Sequence, residues 1–164
     1  MKKGKLIVIY GINNIGKSTQ AKLLVGRLIS LGLKAEYIKY PLYDIEPSGE
    51  IINGYLRLGN QYRLSPREVQ LFYSLNRTQA ETMVMQMLDD GVNIVAEDYT
   101  GTGVAWGIGN GVSEEFLKKI NSHLLVEDSA ILLDGNRYKD ATEDNHKHET
   151  DNNLIENVHK FGIN

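Results

Sequence analysis

The residues best suited to chemistry follow a short apolar run near the beginning of the chain. They read Gly11-Ile12-Asn13-Asn14-Ile15-Gly16-Lys17-Ser18, in which two glycines are separated by four residues and followed by a lysine and a hydroxyl residue. Glycines allow backbone N–H groups to surround a phosphate, while the lysine can bridge two phosphates and the hydroxyl can ligate a divalent cation. This pattern predicts a phosphate loop that binds a nucleoside triphosphate, and the competing interpretation is an ordinary glycine-rich turn before a helix.

The motif assigns the site of the phosphate donor. Lys17 is the predicted catalytic cation and Ser18 a predicted ligand of Mg²⁺, so ATP as donor and Mg²⁺ are the expected cofactors. The predicted ATP-binding residues are Gly11, Asn14, Gly16, Lys17, Ser18 and Thr19. The motif does not identify the acceptor, because hydrolases and kinases share it.

Alternating short strands and helices must position this loop. Apolar runs predict strands over 6–10, 35–40, 92–97 and 130–133. Helical spacing, caps and glycine stops predict helices over about 17–31, 51–56, 65–90, 113–121 and 152–160. This alternation is typical of an α/β fold whose parallel sheet is covered by helices on both faces. Because ligands bind at the carboxyl ends of such strands, Gly11, Pro41, Glu97 and Asp134 should lie at the functional edge.

The predicted helix from Ser65 carries candidates for binding a phosphate acceptor. Phe72, Asn76 and Gln79 share one face because they are four and three residues apart, and Arg77 lies beside Asn76. A ring can stack on a base while amide and guanidinium groups bind its edge or a phosphate. The alternative is that Phe72 is ordinary core and Arg77 a solvated surface charge.

Glu97 ends the third predicted strand, where it should face the phosphate loop. A carboxylate there can hold Mg²⁺ through water or accept a proton from an acceptor hydroxyl, so Glu97 is a candidate for both catalysis and metal binding. The alternative is that Glu97 and Asp98 only cap a following helix.

The composition excludes several classes of function. The 164 residues have a formal net charge of -3 with interspersed signs, which gives no basic surface for nucleic acid or a membrane. The absence of cysteine excludes disulfides, thiolate metal sites and a cysteine nucleophile, and it suits a cytoplasmic protein. A chain of 164 residues suits a single compact domain, and no apolar stretch is long enough to span a membrane. The phosphate loop makes small nucleotides the expected partners.

Several further motifs resemble the thymidylate kinase family of nucleoside monophosphate kinases. They are Gly11 to Thr19, Tyr40-Pro41, Gly49 to Ile52 with Tyr55-Leu56, Leu71 to Arg77, Tyr99 to Trp106 and, more weakly, Leu133 to Gly135 and His148-Glu149. They occur in order and at suitable spacing over nearly the whole chain. The resemblance implies a three-layer P-loop NTPase fold and the Mg²⁺-dependent phosphorylation of thymidine monophosphate (dTMP) by ATP.

The resemblance also implies roles for individual residues. Phe72 would stack on thymine, Arg77 would hold the acceptor phosphate or the base edge, and Pro41 would shape the pocket. The complete set of predicted acceptor-binding residues is Asn13, Pro41, Tyr43, Arg57, Phe72, Asn76, Arg77, Tyr99, Thr102 and Trp106. A lid over about 137–150 would close over ATP and exclude water. Its predicted catalytic cations are Arg137 and Lys147, with His146 and His148 as further candidates.

Three departures from the family pattern affect these expectations. Asn13 replaces a usual acid that contacts the acceptor sugar. Glu97-Asp98-Tyr99 replaces the usual Asp-Arg-Tyr, so that an acid stands where an arginine would clamp the acceptor phosphate. The family also continues past the lid into a strand and a final helix that we do not find before Asn164, so we expect a fold without them.

The substitution at Asp98 leaves three possibilities for the acceptor. Arg77 could bind its phosphate with help from Lys39 or Arg57, Asp98 could turn away, or the acceptor could be something other than a monophosphate. The alternative functions are therefore a deoxynucleoside kinase that uses Glu97 as a base, and an ATP-binding switch or impaired relative.

The family resemblance also suggests a homodimer. The predicted contact is the long helix from Ser65 with Met83, Met85 and Met87, although these methionines could equally belong to the core.

Overall fold

The computed structural model describes residues 2–138 and residue 146. Its strands are β1 (Leu6–Tyr10), β2 (Ala35–Lys39), β3 (Asn93–Glu97) and β4 (Ser129–Leu132). Its helices are α1 (Lys17–Ser30), α2 (Ser48–Arg57), α3 (Pro66–Asp89), α4 (Thr100–Gly109) and α5 (Glu114–Asn121). None of these helices is long and apolar enough to cross a membrane. The predicted helix at 152–160 and most of the predicted lid lie outside the described residues.

These strands form a parallel sheet in the order β2-β3-β1-β4. The first strand lies inside the sheet, with Leu6 opposite Ile94 of β3 and Ile7 opposite Ser129 of β4. Parallel neighbours cannot be joined by tight turns, so helices connect them. The carboxyl ends of all these strands meet at one edge, as predicted, and the phosphate loop leaves β1 at that edge.

The two faces of the sheet are covered by different helices. Ile9 and Val95 point to one face, where they pack against α1. Val8 and Ile94, one residue away along each strand, point to the other face and pack with the apolar side of α3. Because side chains alternate along a strand, short apolar runs supply both layers of the core. The predicted three-layer arrangement is therefore confirmed.

Helix α3 begins where the sequence pattern predicted. The Ser65 hydroxyl accepts a hydrogen bond from the Glu68 N–H at 3.2 Å, and the Glu68 carboxylate accepts one from the Ser65 N–H at 2.8 Å. This reciprocal capping box satisfies backbone groups that the first turn of a helix leaves unpaired, and Pro66 suits the first helical position. The helix then extends to Asp89 and carries Asn76 and Arg77 to the edge of the sheet.

Helix α4 was missed by the sequence analysis, since none of the predicted helix ranges covers residues 100–109. Its glycines lower the helix propensity of this segment. Packing explains why it is nevertheless helical. A methyl group at Gly103 would lie 2.5 Å from Arg77, and one at Gly107 would lie 2.6 Å from Leu117. The glycines allow α4 to approach α3 and α5 more closely than larger residues would.

Candidate active site

The phosphate loop connects β1 to α1 and encloses the ammonium group of Lys17. Gly11 and Gly16 have φ angles of 147° and 98°, and Asn14 also has a positive φ of 63°. Lys17 Nζ donates hydrogen bonds to the carbonyl oxygens of Gly11 at 2.9 Å and Ile12 at 3.0 Å, and Lys17 is 4% exposed. The cation is thus held within the concave side of the loop, where the motif predicts phosphate binding.

Glu97 is a buried carboxylate at the end of β3. One of its oxygens accepts a hydrogen bond from the Tyr37 hydroxyl, and the other lies 3.2 Å from Lys39 Nζ. Burial alone would raise the pKa of Glu97, but hydrogen bonds from Ser18 and Tyr37 and the charges of Lys39 and Lys17 outweigh burial. The pKa therefore lies below its ordinary value, and Glu97 is ionised beside Ser18.

Ser18 and Glu97 place a hydroxyl and a carboxylate next to each other, and both offer hard oxygen ligands. Mg²⁺ prefers such ligands and usually keeps several waters, so it needs few protein groups. Within residues 2–138 and 146, no group of three or more His, Cys, Asp or Glu side chains is placed to hold a metal ion. The donor set therefore fits an ion that takes most of its ligands from water and phosphate.

Asp98, which replaces the arginine expected from the resemblance, also faces the phosphate loop. It has a positive φ of 62°. Its Oδ1 accepts a hydrogen bond from the Thr102 hydroxyl at 2.8 Å, and its Oδ2 lies 3.7 Å from Lys17 Nζ. Burial raises the pKa of Asp98, while Lys17 and Thr102 act in the opposite direction. Asp98 lines the same cavity as Lys17, beside the phosphate loop.

A cavity of about 510 Å³ extends from the phosphate loop to α3. The predicted site residues in its lining are Asn13, Asn14, Gly16, Lys17, Ser18, Thr19, Pro41, Tyr43, Arg57, Asn76, Arg77, Glu97, Thr102, Trp106 and His146. The predicted residues outside its lining are Gly11, Phe72, Gln79, Tyr99 and Arg137. Lys147 and His148 are not among the described residues. Residues predicted to bind ATP and residues predicted to bind the acceptor therefore line the same cavity.

Arg77 supplies a buried positive charge to the acceptor side of this cavity, because it is 4% exposed. One of its Nη atoms donates a hydrogen bond to Asn121 Oδ1 at 3.0 Å, whereas its Nε has no hydrogen-bond partner among the described residues. In the same part of the chain no carboxylate lies within ion-pair distance of Arg77. Burial lowers the pKa of Arg77. A buried cation without a counterion favours an anionic ligand.

Asn76 has a different role from the one predicted, because its amide is used within the protein. Its Oδ1 accepts a hydrogen bond from the Leu42 N–H at 2.8 Å, and its Nδ2 donates to the Leu42 carbonyl at 2.8 Å and to Ser48 Oγ at 2.9 Å. A side-chain amide has few further sites for hydrogen bonds. Asn76 therefore fixes the segment after Pro41 against α3, and so shapes one wall of the cavity.

The aromatic ring that α3 presents to the cavity belongs to Tyr73, not to Phe72. Phe72 packs instead against a cluster of buried residues that includes Ile52 and Val69. Successive residues of a helix point about 100° apart, so an assignment shifted by one residue selects another surface. The prediction that Phe72 lines the acceptor pocket is corrected accordingly.

Tyr99 likewise lies in the core instead of the cavity. It is 3% exposed, and its ring centre lies 5.2 Å from that of Tyr40. Burial raises its pKa above the ordinary value. The neighbouring Thr102 and Trp106, one turn and two turns along α4, line the cavity in its place.

Sequence analysis also missed several cavity residues. Gln70 and Tyr73 line it together with Arg77, at positions spaced by three and four residues. This helical spacing is a signal that would have found them, had the face been extended from Arg77 instead of from Phe72. Gly103 was missed because the absence of a side chain gives no chemical signal, although it borders both the cavity and Arg77.

The beginning of the predicted lid lies against the phosphate loop. Arg137 Nε donates a hydrogen bond to the Asn13 carbonyl at 3.1 Å, and the Tyr138 N–H donates one to the Asn14 carbonyl at 2.7 Å. Tyr138 also lines the cavity beside the loop. Arg137 is therefore connected to the loop backbone, and its predicted catalytic role stays a prediction.

Comparison with known proteins agrees with this arrangement. The family model described as thymidylate kinase matches residues 9–162. The thymidylate kinase of Arabidopsis thaliana is 33% identical over 133 residues, which cover 80% of this chain and 49% of that protein. The thymidylate kinase of Schizosaccharomyces pombe is 33% identical over 131 residues, covering 80% and 61%. The chain thus spans about half to three fifths of the length of these relatives.

A solved structure supports the fold. The structure of thymidylate kinase from Candida albicans matches with a TM-score of 0.78 and 24% identity, covering 98% of this chain and 77% of that one. The match agrees with the parallel sheet, its flanking helices and the P-loop NTPase fold expected from the phosphate loop. The family match extends over nearly the whole sequence, so the chain belongs to the thymidylate kinase family.

Proposed function

We propose that this chain transfers the terminal phosphate of ATP to dTMP and forms the diphosphate. The observation that carries the proposal is the cavity that Lys17 of the phosphate loop and the buried Arg77 share. Family membership supports the same reaction. Because the chain spans only part of its relatives' length, the activity is proposed for this chain and not transferred from them.

On the donor side, the phosphate loop would bind ATP. Its backbone N–H groups and the N-terminus of α1 favour negative charge, and Lys17 would leave the carbonyls of Gly11 and Ile12 for phosphate oxygens. Ser18 and Glu97 would hold Mg²⁺, which when bound neutralises charge on the phosphates. Lys17 would stabilise the charge that develops during transfer, in a site that is already oriented for it.

On the acceptor side, Arg77 would bind the monophosphate or the edge of its base. Arg57 also lines this cavity and adds a positive charge on the acceptor side. Its guanidinium carbon lies 4.8 Å from the centre of the Tyr43 ring, which helps to hold it there. Thr102 and Trp106 would enclose the nucleoside. A monophosphate already carries a nucleophilic oxygen, so positioning by cations matters more than a base.

Asp98 opposes this binding, because its carboxylate lies among the phosphate-binding groups. Its contacts with Thr102 and Lys17 hold it on the donor side, while Arg77 lies on α3. We propose that Arg77, with help from Lys39 and Arg57, binds the acceptor in place of the family's arginine. Comparison does not favour the nucleoside kinase or the switch, and Glu97 is already engaged by Tyr37 and Lys39.

Several wider properties belong to the same proposal. We propose that residues 1–164 form one domain, with a lid at about 137–150 in which Lys147 and Arg137 approach ATP. We also propose a cytoplasmic location, which the absence of cysteine supports. A homodimer through α3 is supported by Leu71, Leu75, Met83 and Met85, which are exposed on that helix.

The test is ADP release with Mg-ATP against thymidine, dTMP and the other deoxynucleoside monophosphates, with product masses determined. We expect release that depends on dTMP and a product one phosphate heavier. The Lys17→Ala variant is the matched control for contaminating kinases. Release only with thymidine, or release independent of any acceptor, would overturn the proposal.

A further inference from the structure

The guanidinium of Arg77 is held by α5, an element that no part of the predicted site included. We propose that Asn121 is a positioning residue that orients Arg77 toward the acceptor. The inference rests on the proposed function, because it assigns Arg77 to acceptor binding. Its basis is the hydrogen bond of 3.0 Å from Arg77 to Asn121 Oδ1, which is buried from solvent.

Asn121 is itself fixed in place. Its Nδ2 donates a hydrogen bond to the Leu117 carbonyl at 2.8 Å, and the residue is 8% exposed. One residue earlier, the Ile120 carbonyl accepts a hydrogen bond from Ser74 Oγ of α3 at 2.7 Å. Helices α3 and α5 are therefore joined directly beside Asn121. An amide held at both ends defines the position of the group that it binds.

Helix α4 also approaches the guanidinium closely. A methyl group at Gly103 would lie 2.5 Å from one Nη atom of Arg77 and 3.0 Å from the other. Asn121 and Gly103 therefore both restrict the position of the guanidinium. Its other N–H groups form no hydrogen bond with the described residues. Because Arg77 lines the cavity, its guanidinium is held beside the space where a planar anion or a base edge would bind.

The hydrogen bond of Asn121 also leaves the charge of Arg77 intact. An amide oxygen orients a guanidinium without neutralising it, whereas a carboxylate forms an ion pair. In the described residues, Arg77 has no ion-pair partner. The arrangement provides orientation and keeps the full positive charge for the acceptor.

The experiment compares kcat/KM for dTMP, the KM for ATP and the melting temperature among variants. Asn121→Ala should lower kcat/KM for dTMP about tenfold, as expected for a lost charge-assisted hydrogen bond, with the ATP KM changed less than twofold. Asn121→Asp keeps an oxygen for Arg77 but would form an ion pair with it and lose the bond to the Leu117 carbonyl, so it should not restore kcat/KM. In an Arg77→Ala background, Asn121→Ala should have no additional effect on kcat/KM. Ser122→Ala, one residue further along and exposed, should match the wild type.

Four outcomes would overturn the inference. Unchanged kcat/KM in Asn121→Ala, or equal losses in the presence and absence of Arg77, would show that Asn121 does not act through Arg77. If Asn121→Ala does not fold, Asn121→Ser, whose shorter hydroxyl cannot reach Arg77, should show the same loss, and no loss would overturn the inference. If the wild type phosphorylates no monophosphate, the proposed function fails first and the inference with it.

Discussion

Replacing Gly103 by alanine should weaken acceptor use while leaving the stability of the fold almost unchanged. The new methyl group would lie 2.5 Å from an Nη atom of Arg77, whereas ordinary contact begins at 3.4 Å. The guanidinium must therefore retreat by about 0.9 Å. Since its hydrogen bond to Asn121 is 3.0 Å long, a displacement of this size breaks or misaligns it.

The magnitude follows from two opposing effects. Alanine in the interior of α4 should stabilise the helix by roughly 1 kcal/mol relative to glycine. Displacing a buried guanidinium and weakening its hydrogen bond should cost about 1–1.5 kcal/mol. These contributions nearly cancel in the free energy of unfolding. Only the displacement of Arg77 affects use of the acceptor. A loss of about 1.4 kcal/mol in transition-state binding corresponds to a tenfold lower kcat/KM for dTMP.

The assay is steady-state ADP release at varied dTMP, together with urea unfolding. Gly26→Ala in α1 is the matched control, because no heavy atom of the described residues lies within 4 Å of the added methyl group. It should be stabilised by roughly 0.5–1 kcal/mol with unchanged kinetics. Full kcat/KM in Gly103→Ala would refute the argument that Gly103 confines Arg77. Loss in both variants would point to a general effect of helix stability.

Four further predictions concern the other walls of the cavity. Lys17→Ala should lower the rate constant of phosphate transfer about a thousandfold in a single-turnover experiment, because it removes the cation at the transferring group. Asn76→Ala should lower the free energy of unfolding by about 2–3 kcal/mol in urea, since it removes the hydrogen bonds of a fully buried amide to Leu42 and Ser48. Glu97 has a lowered pKa, so its contribution to stability is present above about 4.5 and lost as the pH falls through the folded value. Glu97→Gln should remove this acid-dependent part of the urea midpoint. Burial raises the pKa of Asp98, so its ionised carboxylate lowers the stability of the fold at neutral pH. Asp98→Asn should therefore be more stable at neutral pH, with an advantage that fades as the pH falls toward 3.8.

Much of the fold could be predicted from local pattern. The run Leu6–Tyr10 is a fully apolar strand before a glycine, and the capping box at Ser65 defines the start of α3. Helix α4 was not predicted in this way, because its glycines lower the local helix propensity. These positions require glycine because α4 packs closely against residues distant in sequence, such as Arg77 and Leu117. Local propensity predicts an element only where packing does not override it.

The candidate site shows the same contrast between features set by local sequence and features set by distant contacts. The phosphate loop was predictable because its chemistry lies in consecutive residues. Roles on α3 were not, because they depend on the rotation of a helix and on partners far along the chain. Phe72 was chosen because it lies four residues before Asn76, whereas Tyr73 lines the cavity, and the amide of Asn76 was assigned to a ligand although Leu42 uses it. Spacing can identify a shared face, but hydrogen-bond partners decide what that face does.

The position of β1 in the sheet has a consequence for synthesis on the ribosome. Leu6 pairs with Ile94 and Ile7 pairs with Ser129, so neither neighbour of β1 exists when the strand emerges. At 5–20 residues per second, the first partner arrives roughly 5–20 s later. During that interval an apolar strand with two unpaired edges is accessible to other chains and to chaperones. The nascent protein should therefore depend on protection of β1 until β3 has been translated.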